Sequence, residues 1–230
     1  AHTHTQTAVL KCEHGPVYCV EYTPDGMTIA CGYGDGTVVL WNAVTYQLVT
    51  DLRGHTDAVT SLAFTPDSSV LASASGDGKI MLWDMTSNTR IGVLEGHAHL
   101  VRCVAFSPDG TVLASCSDDW TVKLWDVKSQ QLIKTIEGHT DYVRSVVFTP
   151  NGDRIVSCSW DETIKIWDAH TFECVATLLG HSLFVLSVDI LSDGLMLASA
   201  SYDKTIKIWD AQTYECIDTL EGHTDSVNCV

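Results

Sequence analysis

The chain has 230 residues, 45% of them apolar and 18% charged, with a formal net charge of −16. This is a globular composition, long enough to bury a sizeable core, and it excludes disordered, collagen-like and mucin-like chains. Such acidity repels phosphate backbones and argues against direct nucleic-acid binding, and no apolar run is long enough to span a membrane.

A single period runs along the chain. Thr5–Leu10 reads as a lone outer strand, because it lies 42 residues before Gln47–Leu52, the last strand of the first complete unit. Five complete units follow at 11–52, 53–94, 95–136, 137–178 and 179–220, and 221–230 begins a sixth, with Val227–Val230 as its first strand. In the unit 53–94, Val59–Phe64 is apolar and β-branched, Pro66-Asp67-Ser68 turns the chain, and Val70–Ser75 is a second strand. Gly76-Asp77-Gly78 makes a tight turn into Lys79–Trp83, and Arg90–Leu94 closes the unit. Four short strands separated by Pro, Asp, Gly and Asn predict an antiparallel meander, and no stretch holds a helical period.

Several columns keep this register without an insertion. Gly-His recurs at Gly54-His55, Gly96-His97, Gly138-His139, Gly180-His181 and Gly222-His223. Trp recurs at 41, 83, 125, 167 and 209, followed by Asp84, Asp126, Asp168 and Asp210 but by Asn42 in the first unit. A turn Asp stands at 35, 77, 119, 161 and 203. Apolar residues on both strand faces require each sheet to be covered on both sides, which stacking around an axis provides. The predicted fold class is all-β: one domain over 1–230, a β-propeller of four-stranded antiparallel blades. Gly-His and Trp-Asp at this spacing resemble the WD-repeat propeller family from about residue 5 onward. Rings of that family close by completing a blade with strands from both termini. The missing blades are expected from the parent chain or from another chain.

The resemblance implies a buried hydrogen-bonded chain of His, Ser, Asp and Trp in each blade. The corresponding sets are His55, Ser75, Asp77 and Trp83; His97, Ser117, Asp119 and Trp125; His139, Ser159, Asp161 and Trp167; and His181, Ser201, Asp203 and Trp209. The first unit departs, with Glu13 in the His column, His14 beside it and Tyr33 in place of Ser. Its blade is expected to lack the network.

The resemblance also implies that the end carrying the Gly-His loops and the second-to-third strand turns binds partners. Columns where the units differ should converge there. They supply Tyr18, Arg102, Asp118, Trp120, Tyr142, Arg144, Trp160, Phe184 and Tyr202 as candidate contacts. Aromatic and Arg side chains are the types enriched in interface hot spots. The expected function is a non-catalytic scaffold for a protein or peptide partner. The alternatives are a structural element assembling through its open ends and a propeller enzyme with a central pocket.

Other chemistry finds little support. The recurring Ser, His and Asp lack the single exposed nucleophile and oxyanion hole of a hydrolase. The repeated His lie on different blades, so no metal is expected, and no phosphate loop or cofactor motif is present. His2 and His4 are a weak pair at a terminus that shows no secretory leader. The nine Cys fall largely in strand columns shared with Ala and Gly, so free buried thiols and a reducing, intracellular location are expected. Sixteen of the 29 acidic residues sit in repeat columns, so much of the charge belongs to turns.

Overall fold

A computed structural model describes residues 9–230. Residues 5–8 of the expected leading strand, and the His2–His4 pair, lie outside the described residues; Val9 and Leu10 are not in a strand.

The described residues form five four-stranded sheets, each strand paired antiparallel with the next in sequence. We call them blades one to five. Blade one contains β1 (Val17–Tyr22), β2 (Thr28–Tyr33), β3 (Val38–Asn42) and β4 (Leu48–Leu52). Blade two contains β5 (Val59–Phe64), β6 (Val70–Ser75), β7 (Ile80–Asp84) and β8 (Thr89–Leu94). Blade three has β9 (Val101–Phe106), β10 (Val112–Ser117), β11 (Val122–Asp126) and β12 (Leu132–Ile136). Blade four has β13 (Val143–Phe148), β14 (Arg154–Ser159), β15 (Ile164–Asp168) and β16 (Cys174–Leu178). Blade five has β17 (Val185–Ile190), β18 (Met196–Ser201), β19 (Ile206–Asp210) and β20 (Cys216–Leu220). In blade two the expected third strand moves by one residue, and the fourth begins one residue earlier and ends as expected at Leu94.

Asp side chains drive the turns by capturing backbone amides. Asp67 Oδ1 accepts from the Ser69 amide (3.0 Å) and the Thr65 hydroxyl (2.7 Å) between β5 and β6. Asp84 Oδ1 accepts from the Thr86 and Ser87 amides (3.0 and 2.7 Å) between β7 and β8. The acidic columns are thus largely turn chemistry.

The first strands of successive blades are neighbours, so β1, β5, β9, β13 and β17 lie innermost, around an axis. The core is divided among the junctions. Ala72, Ala74, Ile80, Leu82 and Leu94 of blade two meet Val101, Val104, Leu113 and Trp125 of blade three. Equivalent clusters join blades three to four and four to five. The Trp of each of blades two to five therefore covers the face of the blade before it.

The two flanks of the arc are open. Val17 and Val20 are 53% and 56% exposed, whereas their counterparts Val59 and Leu62 are at 0% and 6%. Leu220 is 46% exposed against 2% for Leu94. Val227–Val230 does not form the expected paired strand. It lies along blade five, where the Val227 amide donates to Ser201 O (3.0 Å) and the Val230 amide to Ser187 Oγ (3.3 Å).

The nine cysteines are free thiols, but only partly as buried as expected. Cys31, Cys116 and Cys158 are buried, whereas Cys174, Cys216 and Cys229 are exposed. Cys174 and Cys216 open the outermost strands, where no further strand covers them. Burial pushes the Cys116 and Cys158 thiols well above the ordinary range.

Candidate interaction face

Four blades contain a side-chain relay, built with a different serine from the one expected. In blade four the Trp167 indole N–H donates to Ser157 Oγ (2.8 Å), and Ser157 Oγ lies 2.8 Å from His139 Nε2. His139 Nδ1 lies 2.7 Å from Asp161 Oδ2. An ionised Asp accepts from Nδ1–H, which leaves Nε2 to accept the serine proton. Ser73, Ser115 and Ser199 hold the same place in blades two, three and five. Ser75, Ser117, Ser159 and Ser201 are corrected to another task. Each donates to a loop carbonyl and accepts from the turn Asp amide, as Ser159 does with Asp141 O (3.1 Å) and the Asp161 amide (3.0 Å).

The relay depresses its carboxylates. Burial raises the Asp203 pKa, but the Thr205 hydroxyl, His181 and the Ser182 and Thr205 amides outweigh it and hold it at about 2. Asp119 and Asp161 fall below the ordinary range through the same balance. Burial lowers His181 against the opposing pull of Asp203.

Blade one lacks the serine relay, as expected. Cys31 stands where the other blades place Ser73 or its equivalent, and the buried Trp41 indole N–H has no partner among the described residues. The loss is incomplete, because His14 reaches Asp35 Oδ2 at 2.9 Å from one residue later than the usual His.

The candidate contact residues divide into groups. Tyr142, Trp160, Phe184 and Tyr202 form a continuous aromatic row across blades four and five. Ring centroids are 5.0 Å apart for Tyr142–Trp160, 4.7 Å and nearly parallel for Trp160–Phe184, and 6.0 Å for Phe184–Tyr202. The Arg144 guanidinium sits over Trp160, 5.7 Å from the ring centroid. Arg102 and Asp118 are not the free groups expected from sequence. They form a bidentate pair, with Nε–Oδ1 at 2.7 Å and Nη2–Oδ2 at 2.6 Å. The second residue of an innermost strand thus packs beside the residue preceding the turn Asp of its own blade. Tyr18, next to Gly34 in blade one, belongs to the same column but lies outside the row.

Trp120 stands apart in blade three. It is 50% exposed and has φ of +71°, at the turn position that Gly36 and Gly78 occupy with φ of +84° and +79°. A bulky residue in left-handed backbone costs about 1–2 kcal/mol. Glu162 and Lys204 hold the same turn position in blades four and five with φ of +69° and +73°, so the left-handed backbone belongs to the turn, and an exposed aromatic ring is what sets Trp120 apart.

Aromatic faces, one guanidinium and backbone turns can hold a protein segment. Among the described residues, no group of three or more His, Cys, Asp or Glu is arranged to hold a metal ion. These features define a propeller-type repeat protein. A family model described as "WD domain, G-beta repeat" matches residues 4–42, 46–84, 88–126, 130–168, 172–210 and 214–230, and the chain belongs to that family. The first five matched units each end at the residue after the repeated Trp, so the family's repeat starts one strand earlier than the structural blade. WD repeats generally mediate protein–protein contacts, and propellers built from them are typically non-catalytic scaffolds.

Proposed function

We propose that this chain is a non-catalytic scaffold that binds a protein or peptide partner on the face carrying the Gly-His loops and the β2–β3-type turns. The observation that carries the reading is the aromatic row Tyr142–Trp160–Phe184–Tyr202, with Arg144 packed against it and Trp120 exposed on the neighbouring blade. Rigid rings lose little side-chain entropy on binding and provide large contact areas. The free thiols support an intracellular setting for this activity.

Tyr202 and Trp120 are the best probes, because both are exposed and neither is stacked on both faces. Trp160 is a poorer one, since its removal also breaks two ring contacts and the Arg144 stack. Tyr202→Ala should leave the melting temperature within a degree or two while reducing partner recovery about thirtyfold, the effect of losing a 2 kcal/mol hot spot. Undiminished recovery of every partner with a Tyr202→Ala, Trp120→Gly double variant would place the partner elsewhere.

A second reading has its own observation. Val17, Val20 and Leu220 are exposed in columns that are buried at internal junctions, so the flanks offer surfaces for assembly. Light scattering would show oligomers that Val20→Glu dissolves. A monomer over the working concentration range counts against it.

A further inference from the structure

We propose that the partner segment presents a carboxylate to Arg144 beside an apolar side chain seated on the aromatic row. This rests on the interaction-face reading above and specifies its ligand.

The face has donors without acceptors. Arg144 Nε and Trp160 Nε1 are both buried without a hydrogen-bond partner, and Arg144 forms no ion pair among the described residues. Neither guanidinium nor indole can accept a hydrogen bond, so the missing partner must be an acceptor. The charges point the same way. Asp118 is the nearby carboxylate, but Arg102 claims both of its oxygens on blade three. Arg144 therefore has a neighbouring Arg and a neutralised Asp beside it, with the buried thiols of Cys116 and Cys158 behind. Burial first, and the Arg102 charge second, lower its pKa from the ordinary value. An incoming carboxylate offsets the Arg102 repulsion and replaces the hydration lost on burial.

The same inventory favours a single negative charge over a phosphate. A dianionic group usually takes more than one cation, and Arg102 is already committed. The chain's net charge of −16 also repels densely acidic ligands. The segment is acidic at one residue and apolar at its neighbours, because Trp160 and Phe184 are nearly parallel, with the more exposed Tyr202 at the end of the row.

The test uses three capped pentapeptides, acetyl-Ala-Leu-X-Phe-Ala-amide, with X as Glu, Gln or phosphoserine. Each is titrated into the nitrogen-15-labelled chain while the Trp160 indole N–H resonance is followed, assigned by its loss in Trp160→Phe. The Glu peptide should shift this resonance and bind about tenfold more tightly than the Gln peptide, as expected for a hydrogen bond to a charged group. Arg144→Gln should erase that preference and Arg144→Lys should keep part of it. Unchanged indole resonances of Trp83, Trp125 and Trp209 would show that the variants fold. Equal binding of the Glu and Gln peptides, a preference that survives Arg144→Gln, or tighter binding of the phosphoserine peptide overturns the carboxylate assignment alone. If none of the three moves the Trp160 resonance, the interaction-face reading fails with it.

Discussion

Blades one and four share one backbone pattern but anchor their third strand differently. In blade four Trp167 donates to Ser157, which connects through His139 to Asp161, so every polar group brought inside by the Trp is used. In blade one Cys31 replaces the serine, and the Trp41 indole N–H has no partner among the described residues. Trp41 is nonetheless almost as buried as Trp167, at 5% against 3%. Apolar packing is therefore enough to place the ring. The relay contributes by relieving the cost of burying the ring's polar edge.

The largest expected effect is from Ser157→Ala, which orphans both the Trp167 donor and His139 Nε2. It should cost about 3 kcal/mol in urea melts, the upper end for buried groups left unpaired. Ser159→Ala should cost about 1 kcal/mol, since it removes only local turn bonds. Equal costs would contradict the relay described here. Next comes a pair of substitutions: Trp167→Phe should lose about 1.5 kcal/mol more than Trp41→Phe, because only the former breaks a hydrogen bond. A similar loss at both sites would mean that the Trp41 N–H is satisfied in solution.

Two smaller effects should go in the stabilising direction. Cys31→Ser supplies an acceptor for Trp41 and should gain about 1 kcal/mol; a loss would show that the serine needs the absent His at position 13. Trp120→Gly removes left-handed strain and should gain about 1 kcal/mol while weakening partner binding. Weaker binding without a gain in stability would mean that the ring also packs in the free protein.

The smallest effect is acid sensitivity in blade five. His181 is held below its ordinary value of about 6.5, so its stabilisation is complete above that pH and declines as the pH falls below it. Asp203, near 2 when folded against about 3.9 unfolded, adds a second loss between roughly pH 4 and pH 2. Hydrogen exchange should show blade five losing amide protection between pH 7 and pH 5. Constant protection over that interval would mean that His181 titrates normally.

Strand positions were legible in the sequence because Pro, Asp and Gly fall at every reversal; β5 and β6 match the expected ranges without adjustment. The relay serine was not. Ser73 and Ser75 both recur in four of the five blades and lie two residues apart on one strand, so periodicity cannot separate them. Only proximity to the Trp and His does, and that needs the cross-strand register, in which Leu71 rather than Ser73 pairs with Trp83. The aromatic row was legible as a set of columns. The Arg102–Asp118 pair was present in the same columns as two opposite charges, but the neighbour relation between those columns appears only once the innermost strand is packed beside its turn.

The division of the core among junctions has a consequence for how such a chain can change its length. Each cluster takes one half from a blade's leading face and the other half from the next blade's trailing face. An in-frame duplication of one 42-residue unit, such as 137–178, recreates both halves at its ends and leaves no new surface unmatched. A duplication whose length is not a multiple of 42 puts a strand where a turn belongs. Recombination between the repeated coding segments is thus filtered by packing, and the number of blades can drift while every junction stays the same.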